Sequence, residues 1–286
     1  MSKSNNPEMM NNLEKAARSG GISKREFLQY SMLAGVTAST ATGLWTSQAK
    51  AQPKRGGTFR YGVHDGNTSD NHDPGTYQSV YSIQLAHTHR SYLTEITEEN
   101  GLGPDMATGW EASPDAKTWT FELNTDATFH DGRKFTANDA VASLNHHRGE
   151  KSTSAAKALL DSVVDIKTDG DNHIVIELSQ GFADLPWIMT DYHLVMLPAN
   201  DDGTVDWESG VGAGPYKIEK NEFGIGTSLV RHDGWHREGA WFDRIDMTVL
   251  NDPNARQTAL VTGDVDAISS VDLKTMALLQ RHPDVE

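Results

Sequence analysis

Apolar residues alternate along several short runs, and each run predicts a strand that buries one face. Trp119, Phe121 and Leu123 form one such run, Ile174, Ile176 and Leu178 a second, and Ile245, Met247 and Val249 a third. A fourth strand follows the glycine pair at 56 and 57, where Thr58, Phe59, Arg60, Tyr61, Gly62 and Val63 alternate in polarity. Tyr216–Ile218 and Leu229–Arg231 read as two strands around a glycine-containing turn, and Val265–Ile268 as a short one. Between them lie helical patterns. Tyr81–Leu93 offers Ile83, Leu85, Ala86 and Leu93 to a core, and Ala140, Val141 and Leu144 form an apolar face after a capping Thr136. Asn254 is placed to cap a helix through Ala255–Leu260 that stops at Gly263, and Leu273–Gln280 reads as a last helix before Pro283. Asp65–Asp73 is a polar loop, and the Gly/Asp-rich stretch 200–214 marks a boundary. Strands mixed with helices predict an α/β or α+β body, with no internal repeat.

The first fifty residues follow a different pattern. A polar start leads to Ser23-Lys24-Arg25-Glu26-Phe27-Leu28, then to a weakly apolar stretch from Tyr30 to Trp45, then to Ala49-Lys50-Ala51-Gln52. A basic region, an apolar core and a small-x-small ending predict a secretory signal over residues 1–51, cleaved near Ala51. The Ser-Lys-Arg-x-Phe-Leu run is similar to a twin-arginine (Tat) export signal, with Lys24 in the first arginine's place. The apolar core is short for a bilayer span.

Charge changes the picture only by exclusion. The 286-residue chain carries a formal net charge of −15. Residues 1–51 hold six Lys/Arg and three Glu, so the remainder carries −18. Such an acidic body argues against a nucleic-acid groove and against adsorption to anionic lipid. With no cysteine, disulfides, thiol catalysis, Cys-based zinc sites and an acylated N-terminal cysteine are ruled out.

The candidate chemistry is sparse. His87-Thr88-His89 and His146-His147 suggest metal ligands, yet neighbours at these spacings diverge on a helix. Asp65-Gly66-Asn67-Thr68-Ser69-Asp70 begins like a calcium loop but lacks its glycine at position six and its glutamate at position twelve. Phe129-His130-Asp131-Gly132 pairs a histidine with an aspartate, but no nucleophile motif accompanies it, so it reads as a surface turn. No nucleophile elbow, Walker A or dinucleotide fingerprint is present. The expectation is a non-enzyme without cofactor. His64 and Asp65, at the end of the first strand, are candidate ligand contacts, because ligands of such sheets gather near strand ends.

Four segments occur in a telling order: Trp110-Glu111-Ala112-Ser113-Pro114-Asp115-Ala116-Lys117-Thr118-Trp119-Thr120-Phe121, then Phe129-His130-Asp131-Gly132, then Gly212-Ala213-Gly214-Pro215-Tyr216, then Arg231-His232-Asp233-Gly234-Trp235. Together they resemble the family 5 extracytoplasmic solute-binding proteins, the peptide-binding receptors of ABC importers. Ala116 stands where that pattern has a glycine, Ala213 where it has a threonine, and the last motif is shortened.

The resemblance implies a periplasmic-binding-protein type II-like fold, in which two lobes close over a solute. Members are almost twice this length. It therefore implies that residues 52–95 and 205–286 form the first lobe, that 96–204 form a subdomain inserted in it, and that the second lobe is not in this chain. It further implies a periplasmic receptor that hands a peptide or similar small solute to a membrane permease with its ATPase subunits. The cleft-lining piece of relatives follows the Asp-Pro ending the first loop, here Asp73-Pro74, which adds Tyr77, Gln78, Ser79 and Tyr81 to the candidate contacts. Two other readings stay open: a secreted metal-dependent hydrolase using the histidines, and a truncated, non-transporting binding module.

Overall fold

The computed structural model describes residues 54–283 and 285 and, nearer the N-terminus, residues 11–13, 15, 16, 24–34, 36 and 41. The chain divides into two compact units, Met1–Arg55 and Gly56–Glu286. In the first, helix α1 spans Lys24–Leu33 and carries the Lys24-Arg25 pair. The expected cleavage junction at Ala51-Gln52 lies outside the described residues. No helix among the described residues is long and apolar enough to cross a membrane.

The second unit is mixed α/β. In chain order it contains β1 (Thr58–Val63), α2 (Val80–His89), β2 (Thr94–Ile96), β3 (Leu102–Pro104), β4 (Ala107–Ala112), β5 (Thr118–Leu123), α3 (Ala137–His146), β6 (Val163–Thr168), β7 (His173–Leu178), α4 (Leu185–Ile188), β8 (Tyr216–Glu222), β9 (Gly226–Arg231), β10 (Arg244–Val249), α5 (Pro253–Val261), β11 (Ala267–Ile268) and α6 (Met276–Leu279). Five strands form one sheet in the order β11-β1-β10-β9-β8, and four form another in the order β4-β5-β7-β6. The first is mixed: β1 lies parallel to both β10 and β11, while β8, β9 and β10 run antiparallel. The second is antiparallel throughout.

The alternating runs fold as their period dictates. Trp119, Phe121 and Leu123 of β5, and Ile174, Ile176 and Leu178 of β7, all point into one core with Leu144 of α3. Each such side chain contributes roughly 1.5–3 kcal/mol of burial. A second core joins Val63, Tyr81, Leu85, Tyr216, Leu229 and Met247 under the five-stranded sheet. β1 does not show the expected alternation: its burial rises along the strand instead, from exposed Thr58 through half-buried Phe59, Arg60 and Tyr61 to buried Gly62 and Val63. α3 starts with a full capping box: the Thr136 hydroxyl accepts from the Asp139 N–H, and the Asp139 carboxylate accepts from the Thr136 N–H.

Several boundaries differ from expectation. Helix α2 begins at Val80, capped by Ser79, and ends at His89, where Arg90 is extended. The helix stops there because the Arg90 side chain is drawn to the Val211 carbonyl, a partner 121 residues away. Asp252, not Asn254, caps α5, since its carboxylate accepts from the Ala255 N–H at 2.8 Å. The predicted helix Leu273–Gln280 is reduced to Met276–Leu279, with Leu273 exposed.

The hairpin joining β4 to β5 accounts for the first signature. The Ser113 Oγ accepts from the Thr118 N–H at 3.0 Å, and the Ala116 N–H donates to the Ser113 carbonyl at 2.8 Å. Ala116 holds φ +52°, left-handed backbone that costs an alanine about 1–2 kcal/mol. Glycine, which the resemblance places here, gives back part of that gain as unfolded-chain entropy, about 0.4–1 kcal/mol. Ala116→Gly is therefore expected to stabilise the chain by about 0.5 kcal/mol, read as a rise of about 1–2 °C in Tm. A fall in Tm would contradict this account of the turn.

Candidate ligand site and the junction that positions it

Three of the four signatures meet at one place. Gly212 and Gly214 lie against the backbone where α2 ends. The Gly214 N–H donates to the His89 carbonyl at 3.1 Å, the Ser91 hydroxyl donates to the Ala213 carbonyl at 3.1 Å, and Arg90 donates to the Val211 carbonyl. His130 spans the segment. Its backbone N–H donates to the Gly212 carbonyl at 2.8 Å, its Nδ1 accepts from the Gly212 N–H at 3.2 Å, and its Nε2 donates to the Gly214 carbonyl at 3.1 Å. His232 donates to the same Gly214 carbonyl through Nδ1 at 3.2 Å. The two imidazoles meet edge to face, centroids 4.9 Å apart. The Phe129–Gly132 segment is thus only partly the expected surface turn: Asp131 and Gly132 are exposed, but His130 turns inward as a structural pin.

Accepting at Nδ1 requires a neutral His130 ring, and its burial, with His232 and Arg90 nearby, outweighs the Gly214 hydrogen bond and lowers its pKa to about 3. Burial and the Arg90 charge lower His72 to about 4. Burial and its neighbours His146 and His193 lower His147 to about 3.

Beyond the C-terminal end of β1 lies an open polar depression of about 440 Å³. Asp65, Gln78 and Ser79 line it together with Asn67, Ser69, Asp70, Asn71, Thr76 and Ser82. Asp65 has φ +65° and accepts from the Val80 N–H at 3.3 Å, setting a carboxylate at the start of α2. Ser79 caps the same helix and donates to Asp70 at 3.2 Å. The structure thus brings three of the six predicted contacts into one surface.

The other three lie elsewhere. Tyr77 is 2% exposed and Tyr81 0%, so both side chains are packed inside the body. The Tyr77 hydroxyl donates to the His72 carbonyl at 3.0 Å, and that of Tyr81 bonds Thr227. Both are core residues here, not surface contacts, because each hydroxyl has an internal partner that offsets its burial. His64 sits beyond β1 with its ring against the Ser269 hydroxyl at 2.6 Å, away from the depression's lining. Sequence reading passed over Asn67, Ser69, Asp70, Asn71, Thr76 and Ser82, taking the first four as ordinary turn residues. Their composition signalled a turn but not which way it faced.

The loop bearing this surface is tied to the part of the chain around the four-stranded sheet. His146, at the end of α3, donates through Nε2 to the Asp73 carboxylate at 2.7 Å, and the Ala155 N–H donates to the Gly75 carbonyl at 2.9 Å. Burial pushes the Asp73 carboxyl up, but hydrogen bonds from His146 and the Gly75 N–H, with the nearby histidines, bring it below its ordinary value. Among the described residues, no group of three or more His, Asp or Glu is placed to hold a metal ion.

The family model for bacterial extracellular solute-binding proteins, family 5 (Middle), matches residues 101–286. Among curated relatives, a probable peptide ABC transporter periplasmic-binding protein of Sinorhizobium fredii is 26% identical over 285 positions, covering 93% of this chain and 52% of that protein. The nickel-binding periplasmic protein of Escherichia coli K12 is 24% identical over 206 positions, covering 67% of this chain and 38% of that one. Among solved structures, the A. tumefaciens R10 binding protein AgaA, in complex with agropinic acid, superposes with a TM-score of 0.73 at 27% identity, covering 79% of this chain and 46% of that one. DppA of Helicobacter pylori, in complex with the peptide STSA, gives a TM-score of 0.73 at 19% identity, covering 82% and 51%, a likeness of fold alone. The fold is that of the type II periplasmic binding proteins, and the chain spans about half the length of the relatives it matches. With the family match taking in all four signatures in full, the chain belongs to the family 5 bacterial extracellular solute-binding proteins.

Proposed function

We propose that this chain is one side of the solute-binding component of an ABC importer. It holds a peptide or similar small, hydrogen-bonding solute without transforming it, and passes it to a membrane permease served by ATPase subunits. The observation that carries this reading is the polar depression beyond β1, where Asp65, Gln78 and Ser79 converge. A wall of carboxylates, amides and hydroxyls suits a solute rich in donors, such as a peptide backbone or an amino group. In this reading residues 52–95 and 205–286 form the lobe that carries the depression, and 96–204 the insertion that braces it. Ligand closure with a second lobe would then select the form the permease recognises. Residues 1–51 act as an export signal of twin-arginine type, delivering the protein to the periplasm.

The test is a thermal-shift screen of the purified chain against short peptides, opines, sugars and metal chelates, with mass spectrometry of the recovered solute. A solute at one hundred times its Kd stabilises its receptor by about 2.7 kcal/mol, here a rise of about 5–10 °C. Gln78→Ala, at an exposed position, should weaken that solute's binding about fivefold while leaving the ligand-free Tm unchanged. No shift with any class, or recovery of a cleaved solute, would overturn the reading.

A further inference from the structure

One side chain holds the loop behind the depression in an unusual way. His193 follows α4 and is 5% exposed. Its Nδ1 lies 2.7 Å from the Asp191 carboxylate, and its Nε2 lies 2.9 Å from the Tyr77 carbonyl. Both partners are oxygens that can only accept. A neutral imidazole carries a single N–H and satisfies one of them; a ring with a proton on each nitrogen satisfies both. The Tyr77 carbonyl is the last anchor before Gln78 and Ser79, so the hydrogen bond falls at the root of the ligand-facing segment. The Tyr192 ring covers one side of the imidazole, centroids 4.1 Å apart.

We propose that His193, donating from both ring nitrogens to Asp191 and to the Tyr77 carbonyl, is the positioning residue that sets Gln78 and Ser79 at the polar depression. It does not itself reach the depression; it acts through the backbone of Tyr77. The charged and titratable groups around it are Asp191, His147 and, across the Asp73 pair, His146. Burial pushes Asp191 up, yet the hydrogen bonds from His193, with the histidines nearby, bring it below its ordinary carboxylate value. His147 stays neutral beside it, held down to about 3 by burial and by His146 and His193. What calls for two donors on this ring is the geometry, one acceptor oxygen at each nitrogen.

The inference rests on the depression being the ligand-facing surface, and its test uses no ligand, so the two can fail separately. Nitrogen-15 NMR of the full chain at pH 6 should show protons on both ring nitrogens of His193. Hydrogen exchange should then compare wild type with His193→Phe, which fills the space and removes both donors. The amides of 77–80 are expected to exchange about tenfold faster in the variant, while those of β5 and β7 stay unchanged. If His193→Phe does not fold, Asp191→Asn serves instead: it removes the carboxylate that calls for the second proton, and should abolish one ring N–H signal while the Nε2–H that holds the Tyr77 carbonyl remains; two ring protons persisting in that variant overturn the proposal. A single ring proton in the wild type overturns the proposal. So does unchanged exchange at 77–80 in His193→Phe, or an equal acceleration throughout the unit. Should these arms succeed while the solute screen shows no shift, the loop's anchoring stands and the ligand reading falls.

Discussion

Gly212→Ala is expected to leave the chain without a cooperative unfolding transition at 25 °C. A Cβ at Gly212 would stand 2.0 Å from the His89 carbonyl oxygen and 3.0 Å from its carbon. At Gly214 it would stand 2.5 Å from the Arg90 carbonyl oxygen and 2.6 Å from the His89 carbonyl carbon. All four are main-chain atoms, so no flexible side-chain tip can swing aside. Ordinary overpacking costs about 1–3 kcal/mol when side chains can move. Here the backbone after α2 and the 211–214 segment must separate. The hydrogen bonds from the Gly214 N–H, from Ser91 and from Arg90 are lost with that contact. The sum is comparable to the whole stability of a domain, about 5–15 kcal/mol. Gly109→Ala is the control: its Cβ would meet only the Glu122 Oε2, at 3.8 Å, and should shift the urea midpoint by the equivalent of about 1 kcal/mol or less. If circular dichroism in urea shows Gly212→Ala melting like Gly109→Ala, the close approach is not what holds the junction.

That junction also shows where sequence reading stops. β5 and β7 were legible because an antiparallel sheet with one buried face writes its pattern at every second residue. The two glycines were legible as a motif, but their reason was not. The atoms that demand them belong to His89 and Arg90, more than a hundred positions upstream, where the pattern suggested only a helix running on. Arg90 ended that helix early by turning inward, a choice set by a carbonyl far along the chain rather than by local propensity. The candidate site divides in the same way. Asp65, Gln78 and Ser79 were placed together by strand end and by resemblance, and they do share a surface. Tyr77 and Tyr81 came with the same stretch after Asp73-Pro74, but a ring near a cleft and a ring beneath it look alike in sequence. Only the internal partners, the His72 carbonyl and Thr227, tell them apart.

Acid should unfold this chain well before its carboxylates alone would bring it down. His72, His130 and His147 have folded-state pKa values of about 4, 3 and 3, and burial, with Arg90 beside it, holds His89 well below its ordinary value. In the unfolded chain each returns to about 6.5. As pH falls below that value, the unfolded state takes up protons that the folded state refuses. Stability is therefore complete above about pH 6.5 and lost progressively as pH falls toward the folded values. Each fully refused proton costs about 1.4 kcal/mol per pH unit. Four give a slope on the order of 5 kcal/mol per unit near pH 5, enough to consume a domain's stability within about two units. Asp73 and Asp191, lowered from 3.8 by their histidine partners against the cost of burial, add to the loss only below that value. Urea midpoints measured at pH 7.5, 6.5, 5.5 and 4.5 should fall by the equivalent of only about 1–2 kcal/mol between the first two and steeply after. The slope should correspond to about four protons bound on unfolding. His130→Asn, where it folds, should reduce that count by one, because the Gly212 N–H then meets a group that does not titrate. A midpoint that stays level down to pH 5 would mean that the buried rings are already charged, or that water reaches them. The neutral His130 clamp on the Gly212–Gly214 segment would then have to be abandoned.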